Sequence, residues 1–124
     1  MTMIVIIADP ITEAEATARS AAACLFNGFS DPSRVAIVQR LLSGEQRVVD
    51  LTDYLGLAQS TVSKHLACLR DCGIVASRPR GRASVFSLAH PDAMRELLTA
   101  AEVLLELTGS AVTLCPTYGI ESQP

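Results

Sequence analysis

The sequence predicts a mainly α-helical fold with a small β-hairpin, a winged helix-turn-helix in the order α-α-α-α-β-β-α. Three observations predict it. Two short helical segments, 48–55 and 59–72, are joined by a turn that contains Gly56, as in a helix-turn-helix. Alternating apolar segments at 74–78 and 84–89 flank a Pro-Arg-Gly-Arg turn, which is typical of a hairpin. Apolar residues at helical spacing predict the remaining helices on both sides of this centre.

The first helix follows an apolar N-terminal arm, residues 1–11, which contains Pro10. Thr12 and Glu15 form a capping box, which predicts that the helix begins at this point. An alanine-rich stretch extends the helix to Phe26, and the Asn-Gly pair that follows ends it.

The second helix begins with Asp31 as its cap and Pro32 in its first turn. Its predicted apolar stripe consists of Val35, Val38, Leu41 and Leu42. The last helix begins near Pro91, and its apolar stripe consists of Met94, Leu97, Leu98, Ala101, Leu104, Leu105 and Thr108. These elements define one winged helix-turn-helix domain, residues 12–108, followed by a C-terminal tail, residues 109–124.

Length and composition exclude several classes of protein. The chain has 124 residues, which suits one domain, and 49% of them are apolar, which is typical of a globular protein. No apolar run is long enough to span a bilayer and no signal peptide is recognisable, so we expect a cytoplasmic protein without a membrane partner. The net charge is −3, but residues 59–82 carry five basic side chains and one acid, which makes that segment +4. Such a basic island predicts a nucleic-acid partner.

The fourth helix is the predicted reading helix. On a helical wheel Val62, Leu66 and Leu69 form a narrow core face, and polar side chains lie away from it near the N-terminal end. Such side chains can reach base edges and phosphates in a major groove. The candidate DNA-binding residues of this helix are Gln59, Ser60, Thr61, Ser63, Lys64 and His65. A solvated helix face is the alternative interpretation.

The hairpin adds Arg78, Arg80 and Arg82, three arginines in five residues with no acid between them. Contacts to phosphate or to the minor groove explain this cluster best. A turn that merely keeps the surface soluble is the alternative interpretation.

Four cysteines provide the second candidate site. Cys68 and Cys72 stack one turn apart on the fourth helix, so two thiolates could bind one soft ion, although a complete site needs a further ligand. Cys115, the thiol of the tail, could supply it. Alternatively, Cys68 and Cys72 are small buried side chains. Cys24 is expected to pack among alanines, with an auxiliary metal ligand as the alternative.

Several segments resemble the ArsR/SmtB family of bacterial metal-responsive repressors. They are Asp31-Pro32-Ser33-Arg34, the run 55–66 and Arg80-Gly81-Arg82. Within that family, the run 65–73 is similar to the CmtR-type cadmium/lead sensors, which have two cysteines in the recognition helix and a third in the tail. The third helix here has no cysteine and the last helix has no histidine, so the metal sites of other branches are not expected.

The resemblance implies a homodimeric repressor that leaves its operator when Cd²⁺ or Pb²⁺ binds Cys68, Cys72 and Cys115. Zn²⁺, Hg²⁺ and As(III) are further candidate ligands, and no organic cofactor is expected. Alanines in the first helix and the apolar last helix predict the dimer surface, and a two-fold dimer predicts an inverted-repeat operator.

Three other functions stay open from the sequence alone. The same repressor could sense arsenite, mercury or oxidants through its thiols. A thiol enzyme is disfavoured because no Cys, His and acid are spaced for catalysis, and no phosphate or dinucleotide motif is present. A protein-interaction module that does not bind DNA is the third alternative.

Overall fold

The computed structural model describes residues 10–115 and confirms the mainly helical winged helix-turn-helix. Its elements are α1 (Pro10–Asn27), α2 (Pro32–Leu41), β1 (Gln46–Arg47), α3 (Val48–Leu55), α4 (Gln59–Asp71), β2 (Val75–Arg80), β3 (Ala83–Leu88) and α5 (Pro91–Leu107). The helix-turn-helix comprises α3 and α4, and β2 and β3 form the wing.

Helix α1 begins two residues earlier than the sequence predicts. The helix begins at Pro10 and not at Thr12, so the last two residues of the predicted arm belong to α1. Proline favours the first turn of a helix because its φ is already helical and its missing N–H has no partner there in any case. The rest of the arm, residues 1–9, lies outside the described residues, as do residues 116–124 of the tail.

The sheet has three antiparallel strands in the order β1-β3-β2, one more than the sequence predicts. The additional strand β1 pairs Gln46 with Phe86 and Arg47 with Val85. Two residues are too few to produce an alternating pattern, so sequence periodicity does not reveal β1. Its pairing brings the segment after α2 to the base of the wing.

The wing is longer and its turn tighter than expected. Strand β2 extends to Arg80, which pairs with Ala83, so only Gly81 and Arg82 remain in the turn. Proline is tolerated in edge strands, and Pro79 lies in β2, which is at the edge of the sheet. Gly81 adopts a φ of 65°, a conformation that a side chain would strain.

The core lies between the reading helix and the elements on both sides of it. Val62, Leu66 and Leu69 of α4 are at most 1% exposed, as the helical wheel predicts. The stripe predicted for α2 differs from the buried face that the structure shows. Ile37 is not part of the predicted stripe but is fully buried, whereas Val35 and Leu42, which are part of it, are only half-buried. Helix α2 contacts α3, α4 and β3, so more than one of its faces is covered.

Helix α5 buries Met94 and Leu98 but leaves other apolar side chains in solvent. Leu104 is 64% exposed and Leu107 is 77% exposed. Near them, an apolar groove of about 300 Å³ lies between the end of α1, α2 and α5. Within residues 10–115, no helix combines the length and apolar character that crossing a membrane requires.

Replacing Leu66 with alanine tests whether the reading helix depends on this core. Leu66→Ala removes a side chain that is 1% exposed, and such cavities cost about 2–5 kcal/mol of stability. The exposed Ser63→Ala on the same helix should change stability by no more than about 0.5 kcal/mol. Urea denaturation at one fixed protein concentration measures both. Equal stability of the two variants would contradict the assigned core face.

Candidate nucleic-acid interface and thiol cluster

The turn between α3 and α4 sets the direction of the reading helix. Gly56 ends α3 in the left-handed conformation, with φ 69°, and its N–H donates to the carbonyl of Thr52 at 2.8 Å. Helix α4 then begins after Ala58 with no side-chain cap and no acid in its first turn. The positive end of the helix dipole is therefore not neutralised by a local carboxylate, which favours an approaching anion.

Five of the six candidate DNA-binding residues of α4 lie together on its exposed side. They are Gln59, Ser60, Thr61, Ser63 and Lys64. His65 is different: its side chain is only 16% exposed, and its Nδ1 lies 3.2 Å from an Arg34 nitrogen. Its Nε2 lies 3.9 Å from a carboxylate oxygen of Asp31. The His65 side chain therefore lies against the start of α2, away from the five exposed candidate DNA-binding residues of α4.

Two arginines of the wing have an acidic partner outside it, which the sequence pattern does not reveal. Glu45, just before β1, accepts hydrogen bonds from two guanidinium nitrogens of Arg78 at 2.8 and 2.9 Å, and Arg80 lies 3.9 Å from the same carboxylate. The hydrogen bond from Arg78 lowers the pKa of Glu45, and the carboxylate raises that of Arg78. Arg78 is thus held at the base of the wing. Arg82 makes no ion pair with any described residue.

Three of the four thiols gather where the end of α1 meets the end of α4. The Sγ atoms of Cys24 and Cys72 are 2.7 Å apart, and Cys72 also donates to the carbonyl of Cys24 at 2.9 Å. The side-chain amide of Asn27 donates to Cys68 Sγ at 3.7 Å. Cys24, expected to pack among alanines, is instead exposed and contacts the reading helix.

This environment affects the acidity of Cys72. The hydrogen bond with Cys24 raises the pKa of Cys72 to about 12, with further contributions from burial and from the neighbouring thiols. A soft metal ion at this position must therefore displace a firmly held proton. The donor set suits such an ion, because thiolates prefer soft metals to hard ones.

Cys115 lies elsewhere, on the surface of α5. Its backbone N–H and that of Leu114 donate to one carboxylate oxygen of Glu102 at 2.7 and 2.6 Å, and the Leu114 carbonyl accepts from Gln39 at 2.8 Å. Its Sγ is 3.3 Å from the Thr99 hydroxyl. Glu102 and Gln39 thus hold the start of the tail. The two N–H groups, that of Cys115 first, lower the pKa of Glu102.

The predicted ligands Cys68, Cys72 and Cys115 are therefore not assembled within one chain. Among residues 10–115, no group of three or more Cys, His, Asp or Glu side chains is arranged to hold a metal ion. The two α4 thiols have Cys24 beside them, whereas Cys115 is bound to α5. Joining all three predicted ligands requires movement of the tail or a second copy of the chain.

Comparison with known proteins relates this chain to bacterial regulators. The family described as "Bacterial regulatory protein, arsR family" matches residues 31–77. A probable mercury resistance operon repressor from Streptomyces lividans is 32% identical over 106 residues, which cover 86% of this chain and 80% of that protein. The regulator CmtR of Mycobacterium tuberculosis is 40% identical over 86 residues, which cover 69% and 73% of the two chains.

Solved structures show the same fold. The NMR structure of the cadmium metal-sensor CmtR from M. tuberculosis has a TM-score of 0.53 and 38% identity, and the match covers 64% of this chain and 85% of that one. A homodimeric winged helix-turn-helix DNA-binding domain from Mycobacterium bovis, Mb0332, has a TM-score of 0.65 at 24% identity, over 74% and 89% of the two chains.

Fold and comparisons together define the class: a winged helix-turn-helix transcriptional regulator, not an enzyme. Within that class, the chain belongs to the arsR family of bacterial regulatory proteins and is a transcriptional repressor whose relatives include metal sensors.

Replacing Glu102 tests whether this carboxylate holds the tail. In Glu102→Ala the amides of Leu114 and Cys115 lose their acceptor, so their hydrogen exchange should accelerate by about tenfold or more. Glu106→Ala, an exposed glutamate one turn further along α5, is the matched control and should leave both rates unchanged. Exchange measured by NMR decides between them. Equal rates in all three proteins would contradict the role of Glu102.

Proposed function

We propose that this repressor is a homodimer that binds operator DNA without metal and releases it when a soft heavy-metal ion binds its cysteine thiolates. The observation that carries the proposal is the position of Cys68 in the last turn of α4 and of Cys72 at its C-cap, since the other end of this helix exposes the candidate DNA-binding side chains. One rigid element therefore contains both the sensing and the reading groups.

In the DNA complex, the N-terminal half of α4 enters the major groove. Gln59 and Ser63 read base edges, and Ser60, Thr61 and Lys64 contact the backbone or adjacent bases. Arg80 and Arg82 of the wing bind phosphate or the minor groove. Arg78 orients the wing through Glu45, and His65 acts by fixing α4 against α2.

Dimerisation follows from the apolar side chains that one chain leaves in solvent. Phe26 of α1 and Leu104 and Leu107 of α5 are at least 60% exposed, and the apolar groove lies beside them. A second copy related by a two-fold axis would cover these surfaces. Its two reading helices would then bind an inverted repeat, about 34–36 Å apart or a multiple of that distance.

The proposed metal ligands are Cys68, Cys72 and Cys115, with Cys24 as an auxiliary ligand next to Cys72. A bound soft metal ion would link the cysteine thiolates that coordinate it. For Cys115 to join, the tail must leave Glu102, or the tail of the second copy must reach α4. Mixed dimers, with Cys115→Ser in one copy and Cys68→Ser in the other, distinguish these two routes.

Cadmium or lead is the proposed inducer. The resemblance of residues 65–73 to cadmium/lead sensors and the cadmium-sensing relative both support this proposal. Mercury is the second candidate because the S. lividans relative is named as a mercury resistance repressor, and arsenite follows from its affinity for neighbouring thiols. Zinc is a weaker candidate, since the site offers mainly soft sulfur ligands.

The DNA-binding roles predict two distinct effects of substitution. Arg82→Ala should weaken binding to all DNA sequences, because a phosphate contact is lost. The slope of log affinity against log salt concentration should become shallower by about one. Gln59→Ala should instead relax sequence preference, at a cost of about 1–3 kcal/mol for the cognate site. Fluorescence anisotropy at several salt concentrations, with cognate and scrambled duplexes, measures both effects. If the two variants lost affinity equally on every sequence, the assigned roles would be wrong.

Metal sensing predicts a graded effect of the cysteine substitutions. Reduced wild-type protein should show ultraviolet thiolate-to-Cd²⁺ absorption for about three sulfurs and should release operator DNA. Cys72→Ser should lose the response and keep DNA binding, because Cys72 lies at the far end of α4 from Gln59. Cys115→Ser should keep weaker, two-sulfur binding and respond poorly. A Cys72→Ser protein that released DNA at wild-type Cd²⁺ concentrations would contradict the proposed site.

A further inference from the structure

Cys24 and Cys72 form a close contact between two helices. The residues are 48 positions apart in the sequence, yet their Sγ atoms are separated by 2.7 Å. A disulfide bond measures about 2.03–2.05 Å, so a movement of less than about 1 Å would bring the two sulfur atoms to bonding distance. Both thiols are free in the reduced protein.

The two thiols differ in their access to solvent. Cys24 is exposed on α1, whereas Cys72 is half-buried and its S–H donates a hydrogen bond to the Cys24 carbonyl. A small oxidant from solution therefore reaches Cys24 first. Cys72 is already beside Cys24 and is positioned to attack it. This division of roles is that of a peroxide-sensitive thiol with an adjacent resolving thiol.

We propose that Cys24 and Cys72 are an oxidative modification site, at which a hydroperoxide converts the two thiols into a disulfide between α1 and α4. The Cys24 sulfur attacks the peroxide oxygen, the O–O bond breaks, and Cys24 becomes a sulfenic acid while water leaves. The Cys72 sulfur then attacks the Cys24 sulfur, the S–O bond breaks, and a second water leaves with the Cys72 proton. Two thiols are oxidised to one disulfide, and one hydrogen peroxide is reduced to two waters.

The other two cysteines are less suited to this reaction. Cys68 lies one turn from Cys72 on the same helix, and its Sγ accepts a hydrogen bond from Asn27 at 3.7 Å. Cys115 is held against α5 by Glu102. The disulfide therefore forms between α1 and α4 and leaves Cys68 and Cys115 as thiols.

Oxidation removes the proposed metal ligand Cys72 and the auxiliary ligand Cys24, and it leaves the candidate DNA-reading side chains unmodified. A Cys72 sulfur in a disulfide is no longer a thiolate and cannot ligate a metal ion. The side chains from Gln59 to Lys64 lie at the other end of α4. The oxidised repressor therefore stays on its operator when metal is added. This consequence rests on the proposed function, whereas the disulfide itself does not.

Peptide mapping tests the disulfide directly. Full-length protein is treated with hydrogen peroxide, alkylated without reduction and digested with trypsin, which cleaves after Arg70 and so separates Cys68 from Cys72. The expected result is a cross-link between peptide 20–34 and the peptide that begins at residue 71, which disappears after reduction. A cross-link to peptide 65–70, or four alkylated thiols after treatment, would overturn the proposal.

A metal titration tests the consequence. Wild-type protein should lose its three-sulfur Cd²⁺ charge-transfer absorption and its operator release after peroxide and regain both on reduction. Cys24→Ser should give the same titration before and after peroxide, because Cys72 has lost its partner. Oxidised wild-type protein that still responded fully to Cd²⁺ would refute the consequence. If reduced wild-type protein did not respond at all, the proposed function would fail, and the peptide map would still decide the disulfide.

Discussion

The guanidinium group of Arg34 joins three helices at one point. It donates to the carbonyls of Asn27 and Gly28 at 2.9 and 3.2 Å, and it contacts the His65 ring at 3.2 Å. Because Arg34 lies in the first turn of α2, these contacts fix the end of α1 and the middle of α4 relative to α2. The remaining polar contacts of the thiol cluster depend on this arrangement, since the Asn27 side chain reaches Cys68 and the last turn of α1 holds Cys24.

This connection explains how thiol chemistry could affect DNA binding. Helix α4 has 13 residues, so its two ends are roughly 20 Å apart. Val62, Leu66 and Leu69 anchor one face of the helix in the core along most of its length. A ligand that displaces the Cys72 end against α1 therefore also changes the position of the Gln59 end.

Local patterns predicted most of the fold, and long-range contacts account for what they missed. The stripe in α4, the Asp31 cap and the Gly56 turn are local features, so the sequence was sufficient to place them. The contacts of Cys24 with Cys72 and of Glu45 with Arg78 join residues 48 and 33 positions apart. Sequence periodicity cannot predict such pairs. The contact of α1 with the end of α4 brings Cys24 to Cys72, and the pairing of β1 brings Glu45 to Arg78.

The most direct test of the proposed coupling is a complete thermodynamic cycle. Four dissociation constants are measured under reducing conditions: those for operator DNA with and without Cd²⁺, and those for Cd²⁺ with and without operator DNA. Coupling through α4 predicts that Cd²⁺ weakens operator binding, and that the operator weakens Cd²⁺ binding by the same factor, typically about 5–150-fold. Equal Cd²⁺ affinity for the free and the DNA-bound protein would contradict the account.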